Sequence, residues 1–142
     1  MILRPATPGD APACAVIVRD WIEATAWMPG GPSRAELEAI LREGFAPSSG
    51  REVWVAGEAP QGYLSSDPTE GRVVGLYTAT PGQGIGRALM DRVKAGRDAL
   101  WLRSHQPNVA PHRFYERESF ATTARDLPGD DGVPEIRMDW SA

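Results

Sequence analysis

The stretch Gly75-Leu-Tyr-Thr-Ala-Thr-Pro-Gly-Gln-Gly-Ile-Gly-Arg-Ala-Leu-Met90 decides the fold, because it runs from a strand through a glycine-rich turn into a helix. Gly82, Gly84 and Gly86 let the backbone bend tightly, and without a Cβ they allow it to approach a ligand closely. The first N–H groups of a helix have no partner within it, and the helix start carries a partial positive charge. The turn therefore predicts a phosphate-binding site formed by the backbone of residues 83–88.

Two other phosphate-binding loops differ from this stretch in spacing. A dinucleotide-binding loop requires G-x-G-x-x-G, and here the third glycine position falls on Arg87 or Leu89. The following strand, Leu100–Ser104, also lacks the terminal acidic residue that would hold a ribose hydroxyl. A nucleoside-triphosphate loop requires Gly-Lys-Ser/Thr, whereas the only lysine of the chain, Lys94, lies inside the predicted helix. The spacing therefore argues against both classes.

A second motif follows the glycine-rich turn. The stretch Asn108-Val-Ala-Pro-His-Arg-Phe-Tyr-Glu-Arg-Glu-Ser-Phe120 begins with an asparagine and continues into a helix that carries Phe-Tyr-Glu. Together with Gln83-Gly-Ile-Gly-Arg-Ala-Leu89, it resembles the signatures of the GNAT superfamily of acetyl-CoA-dependent N-acetyltransferases. The chain departs from the usual pattern at three positions, where Pro81 replaces Arg or Gln, Pro111 a small residue and Ser119 a glycine.

The resemblance implies acetyl-CoA as the co-substrate and assigns residues to its binding. The strand before the turn would bind the pantetheine and the acetyl carbonyl through its backbone, with a β-bulge at Gly75, and the turn would bind the pyrophosphate. Tyr115 would be the general acid for the leaving thiolate. The implied cofactor-binding residues are Leu76, Tyr77, Thr78, Gln83, Gly84, Ile85, Gly86, Arg87, Ala88 and Asn108.

Two of these residues have a second interpretation from residue type alone. Tyr115 could anchor its helix in the core with a hydrogen-bonded hydroxyl, and Asn108 could be a helix cap. The resemblance favours catalysis for Tyr115, and it allows Asn108 to be both a cap and a CoA contact.

The alternation of strand and helix signals predicts a mixed α/β domain. The resemblance makes this expectation specific, because it implies one three-layer GNAT-like domain over residues 1–142, with a central, mostly antiparallel sheet flanked by helices. The implied order is strand, helix, helix, three strands, helix, strand, helix and two strands. A chain of 142 residues is long enough for one such domain and needs no second.

Hydrophobic periodicity and caps place the elements along the chain. Asp10 and Ser33 are predicted to cap the first two helices, with Glu36 as the capping-box partner of Ser33. Residues 126–134 are polar and predict a mobile loop. Strands are predicted at Ile2–Arg4, Glu52–Ala56, Gly62–Ser65, Arg72–Thr78 and Ala99–Arg103, followed by two ribbons that end at Trp140.

The composition limits the partners and the compartment. The net charge is −4 and the chain has no basic run, which argues against a nucleic-acid partner. Because it lacks both a secretory signal and a run of about eighteen apolar residues, we expect no membrane partner and a cytoplasmic location. Cys14 is the only cysteine, and its apolar neighbours predict a buried structural thiol. A homodimer along a free strand edge is a further possibility.

The residue that deprotonates the acceptor is left open by the sequence. The strand Arg72–Thr78 carries no carboxylate, although many GNAT members have one there. His105 and His112 have no Cys or carboxylate partner at metal-ligand spacing, so no metal site is expected. Besides a water chain, the candidates by residue type are Glu23, Glu70, Glu135 and His105.

The acceptor is expected opposite CoA, near the first two helices and the last two ribbons, where Glu23 or Glu135 could attract a cation. Trp21, Trp27 and Met28 could form an apolar wall there, or they could belong to the core. The sequence thus predicts an enzyme that transfers the acetyl group of acetyl-CoA to a primary amine by direct nucleophilic attack. The acceptor is expected to be a small molecule. The alternatives are a protein or peptide N-acetyltransferase and, in another class, a non-catalytic acyl-CoA-binding module.

Overall fold

The computed structural model describes residues 1–142, which form seven strands and four α-helices. The strands are β1 (Leu3–Pro5), β2 (Glu52–Ala56), β3 (Gly62–Asp67), β4 (Arg72–Thr78), β5 (Ala99–His105), β6 (Ala121–Leu127) and β7 (Glu135–Ser141). The helices are α1 (Ala11–Ala24), α2 (Arg34–Gly44), α3 (Ile85–Lys94) and α4 (Val109–Arg117). Their order, β1-α1-α2-β2-β3-β4-α3-β5-α4-β6-β7, confirms the predicted fold. None of the helices is long and apolar enough to cross a membrane.

All strands belong to one sheet in the order β1-β2-β3-β4-β5-β7-β6. Every neighbouring pair is antiparallel except β4 and β5, which run parallel. This parallel pair is short, because only Arg72 pairs with Trp101 and Val73 with Leu102. Beyond these residues no ladder joins the two strands, so the sheet opens between the C-terminal ends of β4 and β5.

Helices α3 and α4 cover one face of the sheet. Ile85, Leu89 and Val93 recur at helical spacing, and their burial confirms the apolar face predicted for α3. They pack with residues from the strands and from α4 in a first core cluster. Its members are Ala56, Leu64, Val73, Ile85, Leu89, Met90, Val93, Leu100, Leu102, Tyr115, Phe120, Ile136 and Met138.

Helices α1 and α2 cover the other face, over β2 and β3. Cys14 is fully buried there, and burial raises the pKa of its thiol to about 12, which confirms the predicted structural thiol. The predicted capping box at the start of α2 is also confirmed, since Ser33 and Glu36 exchange side-chain-to-backbone hydrogen bonds. The second core cluster comprises Ala11, Cys14, Ala15, Val18, Ile22, Leu37, Phe45, Val55 and Tyr63.

Asp10 has a different role from the predicted one. It stands at the N-cap position of α1 without making a side-chain cap. Its carboxylate instead accepts the Thr7 N–H at 2.9 Å and pairs with Arg4 at 2.7 Å. The hydrogen bond from Arg4 holds the pKa of Asp10 below its ordinary value. The residue therefore ties β1 to the start of α1.

Strands β3 and β5 each extend two residues beyond their predicted ends. Ser66 pairs with Glu52 across the β2–β3 ladder, and His105 pairs with Glu135 across the β5–β7 ladder. These polar residues are strand residues because a neighbouring strand binds their backbone. The sheet ends at β1 on one side and β6 on the other. Association of two copies along one of these edges stays a prediction.

The end of α4 explains why a glycine is usual at the position of Ser119. Ser119 has a φ of 72°, in the left-handed region that disfavours residues with a Cβ. Its N–H donates to Glu116 O, and the Phe120 N–H donates to Tyr115 O, which together form a Schellman motif. The Phe120 ring packs on the Tyr115 ring, with centroids 5.9 Å apart. The motif therefore fixes Tyr115 against the core.

We expect Ser119→Gly to raise the free energy of unfolding by about 0.5 to 1 kcal/mol, because it removes the left-handed strain at an exposed position. Chemical denaturation monitored by circular dichroism measures the difference. Ala95→Gly is the matched control: Ala95 follows α3 with a φ of −58°, so glycine relieves nothing there and should destabilise. Equal effects of the two substitutions would contradict this explanation.

Candidate active site

The glycine-rich turn joins β4 to α3 and leaves a row of backbone donors free. The N–H groups of residues 83–87 donate to no backbone carbonyl. The row ends there because the Ala88 N–H donates to Gly84 O at 3.1 Å. These donors stand at the positive end of the α3 dipole, which suits a phosphate. This row of free N–H groups, called the cradle below, therefore ends at Arg87, one residue before the predicted end at Ala88.

Each glycine of the turn has its own reason to lack a side chain. Gly82 and Gly84 have φ values of 81° and 74°, and a Cβ on either would meet no atom within 4 Å, so conformation alone requires them. Gly86 is different, because a Cβ there would lie 3.3 Å from Phe114 Cζ. Gly86 therefore lets α3 and α4 approach each other beside the free donors.

The end of β4 supplies a second set of backbone groups. The Ala79 N–H donates to Gln61 O across the β3–β4 ladder, so by strand alternation Tyr77 also faces β3. Leu76 and Thr78 then direct their N–H and C=O groups to the other side, where β5 has diverged. Of the three strand residues predicted to bind the cofactor, Leu76 and Thr78 therefore direct their backbone groups to the opening, and Tyr77 does not.

The expected bulge lies next to Gly75 rather than on it. Ser65 pairs with Gly75 and Ser66 pairs with Val73, which leaves Val74 as the extra residue on β4. The extra residue changes the alternation, so that the side chains of Val73 and Leu76 both pack on the first core cluster. Without it, Leu76 would face the opposite side of the sheet.

A cleft of about 750 Å³ joins the turn, the end of β4 and the start of α4. Three cationic side chains line it, Arg87, Lys94 and Arg117, together with the acidic Asp91 and Glu118. Arg87 is three-quarters exposed and 3.9 Å from Asp91, a weak contact that leaves it free to meet a phosphate. The cleft thus offers backbone donors and cations to an anionic ligand.

Tyr115 closes the inner end of this cleft. Its side chain belongs to the first core cluster, while the residue also lines the cleft. Burial, and to a lesser extent the neighbouring Tyr77, raises the pKa of the phenol above its ordinary value of 10. The hydroxyl therefore keeps its proton at neutral pH, and it can donate to a ligand atom in the cleft.

The predicted site residues divide into two groups. The residues that line the cleft are Leu76, Thr78, Gln83, Gly84, Ile85, Gly86, Arg87 and Tyr115. Tyr77, Ala88 and Asn108 are not part of the lining. Asn108 stands at the N-cap position of α4, but its side chain makes no cap hydrogen bond. Its predicted contact with CoA stays a prediction.

Sequence reasoning missed Phe114, Lys94 and Arg117 as lining residues. Lys94 had a usable signal, because Arg87, Asp91 and Lys94 follow at i, i+4 and i+7 and therefore share one face of α3. Lys94 donates to the backbone O of Glu118, and its ammonium lies 5.0 Å from the Trp140 ring centroid. It thereby joins α3 to the end of α4 at the cleft.

The opposite side of the opening is lined by aromatic rings. The Trp21 ring contacts Trp27 and Tyr77, with centroids 6.0 Å and 5.7 Å apart. The imidazole of His105 lies 5.3 Å from the Trp27 ring and 6.0 Å from the Trp21 ring. Of the three residues predicted to form an apolar wall or to belong to the core, Trp21 and Trp27 form a wall that adjoins Tyr77 on β4 and His105 on β5. Trp21 also packs on the second core cluster, as Met28 does.

None of the three glutamates proposed by residue type offers a free carboxylate at this opening. Glu23 is 62% exposed and pairs with Arg19 on the surface of α1. Glu70 is exposed at the turn before β4, the far end of that strand from the opening. Glu135 Oε1 lies 2.6 Å from Arg103 Nε in an ion pair. No group of three or more His, Cys, Asp and Glu side chains converges as a metal site.

The sheet, its opening and the glycine-rich turn give this chain the fold of the GNAT acetyltransferases. A GNAT superfamily phosphinothricin acetyltransferase from Sinorhizobium meliloti, in complex with acetyl-CoA, matches 99% of this chain and 87% of its own with a TM-score of 0.73 and 20% identity. The apo form of YjaB from Escherichia coli matches 99% of this chain and 98% of its own with a TM-score of 0.78 and 20% identity.

One curated relative is similar in sequence. The chain is 25% identical over 147 residues to the peptidyl-lysine N-acetyltransferase YiaC of Escherichia coli (strain K12), covering 98% of this chain and 96% of that protein. No family model matches the chain. The comparisons confirm the resemblance to GNAT acetyltransferases that the two motifs indicated.

The pKa values of all three tyrosines, Tyr63, Tyr77 and Tyr115, are raised chiefly by burial, so above about pH 10 the folded state binds more protons than the unfolded state. This stabilisation is complete below about pH 10 and is lost as the pH rises further. We therefore expect one alkaline transition, in which the tyrosinate absorbance increases while the circular dichroism signal of the folded protein is lost. Tyr63→Phe should reduce its steepness, whereas a tyrosine that ionises in the folded protein near pH 10 would contradict the assignment.

Proposed function

We propose that this chain acts as a single-domain N-acetyltransferase, which transfers the acetyl group of acetyl-CoA to a primary amine. The observation that carries the proposal is the row of free N–H groups from Gln83 to Arg87, which lines the same cleft as Tyr115. The row fits a pyrophosphate, because it combines successive donors with a helix N-terminus and two left-handed glycines. The acetyl-CoA bound to a GNAT relative of the same fold supports the choice of ligand.

Acetyl-CoA supplies a thioester carbonyl that an amine can attack directly. The N–H groups of Leu76 and Thr78 face the opening and are placed to stabilise the charge that develops on the carbonyl oxygen. Loss of one such donor typically costs about 2.7 to 4 kcal/mol of barrier. Tyr115 holds its proton and donates a hydrogen bond, and then the proton, to the leaving sulfur. The amine approaches from the side of Trp21 and Trp27.

The acceptor is a primary amine, and the sequence favours a small molecule. The tryptophan wall beside the opening supports this choice, because aromatic faces attract a cationic ammonium group. The resemblance to the peptidyl-lysine N-acetyltransferase YiaC favours a second candidate, a lysine side chain in a peptide. Parallel assays with n-butylamine and with a lysine-containing peptide separate the two, since a peptide enzyme should prefer the peptide when both amines are at equal concentration.

The first test is calorimetric titration with acetyl-CoA and with CoA. Gly84→Glu places a carboxylate among the free donors, so we expect it to weaken binding of either ligand at least about tenfold. Gly84→Ala measures how much of that loss comes from left-handed strain alone. Gly44→Glu adds the same charge at the end of α2, away from the cleft, and should bind like the wild type. Absence of binding by the wild type would refute the proposal.

Tyr115→Phe tests the general acid. The substitution keeps the ring that packs on Phe120 and removes only the hydroxyl, so we expect kcat to fall about a hundredfold with less than about a threefold change in acetyl-CoA affinity. Release of free thiol measures turnover. Tyr63→Phe is the matched control, because Tyr63 is also buried but belongs to the second core cluster. Unchanged turnover in Tyr115→Phe would remove the tyrosine from the mechanism.

The same pair of measurements distinguishes the non-catalytic alternative. A module that only senses or carries the acyl-CoA would bind it through the cradle and release no thiol with any amine. Its affinity would still depend on Gly84 and would be insensitive to Tyr115→Phe.

A further inference from the structure

His105 forms a hydrogen-bonded pair with Asp131 at the C-terminal end of β5. The His105 Nε2 atom lies 2.7 Å from Asp131 Oδ2. A carboxylate only accepts hydrogen bonds, so Nε2 carries the proton, and in the neutral imidazole the lone pair is on Nδ1. No other side-chain hydrogen bond involves His105, and Nδ1 is not among the enclosed unpaired atoms. Nδ1 is thus an accessible proton acceptor.

The carboxylate of this pair is held in place and ionised. Asp131 also accepts the Val133 backbone N–H at 3.0 Å. Burial opposes ionisation of Asp131, but the hydrogen bonds from His105 and Val133 outweigh it, so the pKa of Asp131 lies below its ordinary value. The loop that carries Asp131 is attached to β5 by two more contacts, from Arg103 Nη2 to Pro128 O and from Gln106 N to Pro134 O, both 2.8 Å.

Strand alternation places His105 across the opening from Tyr115. Leu100 and Leu102 of β5 belong to the first core cluster with Tyr115, so His105 points to the other face of the sheet. There its imidazole touches Trp21 and Trp27, and Trp21 touches Tyr77. Tyr77 is near enough to Tyr115 for its charge to raise the pKa of that phenol. Ring contacts therefore run from the imidazole through Trp21 to Tyr77, on the strand that ends at the opening.

The other charged groups around His105 are already paired. On β7, Glu135 is the residue directly opposite His105, and its carboxylate pairs with Arg103. On α1, Glu23 pairs with Arg19. On α4, His112 bonds to Ser104 Oγ at 3.0 Å, and its other contact is the backbone of His105. Burial lowers the pKa of His112, which keeps it neutral. Among these groups, His105 is the one with a free acceptor atom on a ring that contacts the tryptophans.

We propose that His105 is the general base that deprotonates the acceptor amine, with Asp131 as its positioning residue. The inference rests on the proposed function, because it assigns the missing base of that reaction. It also narrows the acceptor to an amine that arrives as an ammonium ion beside Trp21 and Trp27, and needs a base before it can attack.

The proton balance of the reaction follows from this assignment. The ammonium gives one proton to His105 Nδ1, and the neutral amine then forms the C–N bond at the thioester carbonyl. The C–S bond breaks, and the sulfur takes a proton from Tyr115. The amide nitrogen loses its second surplus proton to water and solvent restores Tyr115, so the products are the N-acetyl amine, the free thiol of CoA and one proton released from His105.

The test compares two amines whose acidities differ. The ammonium of n-butylamine resembles a lysine side chain, with a pKa near 10.4, whereas glycinamide carries an α-amino group with a pKa near 8. We expect His105→Gln to lower kcat about a hundredfold with n-butylamine and less than about tenfold with glycinamide, because the more acidic ammonium depends less on a base. Acetyl-CoA affinity and the thermal midpoint should stay within error of the wild type.

The pH profile supplies a readout that a merely structural role would not move. In the wild type, kcat should decrease as the pH is lowered, because a protonated Nδ1 cannot accept a further proton. This decrease, the acid limb of the pH profile, should be absent in His105→Gln. Asp131→Asn should shift the limb and lower kcat, whereas Asp130→Asn, an exposed neighbour in the same loop, should leave both unchanged. Retention of the acid limb in His105→Gln, or an equal loss with both amines, overturns the proposal.

A spectroscopic arm separates this inference from the proposed function. In the ¹⁵N–¹H spectrum of the imidazole, the wild type should show the Nε2–H tautomer, and n-butylamine should shift the His105 resonances without acetyl-CoA present. Absence of any amine-induced shift overturns the assignment of His105, whatever the turnover. A clear shift without acetyl-CoA binding or thiol release would instead contradict the proposed acetyl transfer and leave the amine site standing.

Discussion

The short parallel ladder between β4 and β5 is the constraint on which the rest of the site depends. Two residue pairs, Arg72 with Trp101 and Val73 with Leu102, hold the strands together, and beyond them each strand follows a different partner. Strand β4 stays with β3, and β5 stays with β7 over seven consecutive pairs. A longer parallel ladder would bind the backbone groups of Leu76 and Thr78 and would close the opening. The bulge at Val74 then turns the Leu76 side chain onto the core that supports α3.

Because the opening passes through the sheet, it gives the two reactants separate approaches. The face covered by α3 and α4 carries the backbone cradle and the cations Arg87, Lys94 and Arg117, which suit a phosphorylated ligand. The other face carries Trp21, Trp27 and the His105–Asp131 pair, which suit an ammonium group. The chain as a whole therefore has a net charge of −4, but the cleft where an anion would bind has a local excess of positive charge. Overall charge excludes classes of partner, but the distribution of charge determines where a ligand can bind.

What the sequence predicted well is what neighbouring residues determine. The glycine spacing defined the turn and the start of α3, and the apolar spacing of Ile85, Leu89 and Val93 gave the buried face of that helix. The end of β5 was missed because Ser104 and His105 are polar, and the ladder that makes them a strand comes from β7, some thirty residues later. The contact of His105 with Trp21 and Trp27 joins elements from opposite ends of the chain. Periodicity within one segment carries no information about such a contact, so the sequence could name His105 only as one candidate among several.

The two titratable groups at the opening have environments that suit opposite tasks. Tyr115 is enclosed by the first core cluster, and burial raises its pKa, so its proton stays until a stronger acceptor such as a thiolate forms beside it. His105 is only partly buried, and its pairing with Asp131 fixes the tautomer that leaves Nδ1 ready to accept. An acid that keeps its proton on one face and an imidazole with an open acceptor atom on the other give the proton transfers a direction. The splayed strands bring these groups to the same opening while the sheet keeps their environments apart, which explains how one small domain can hold both.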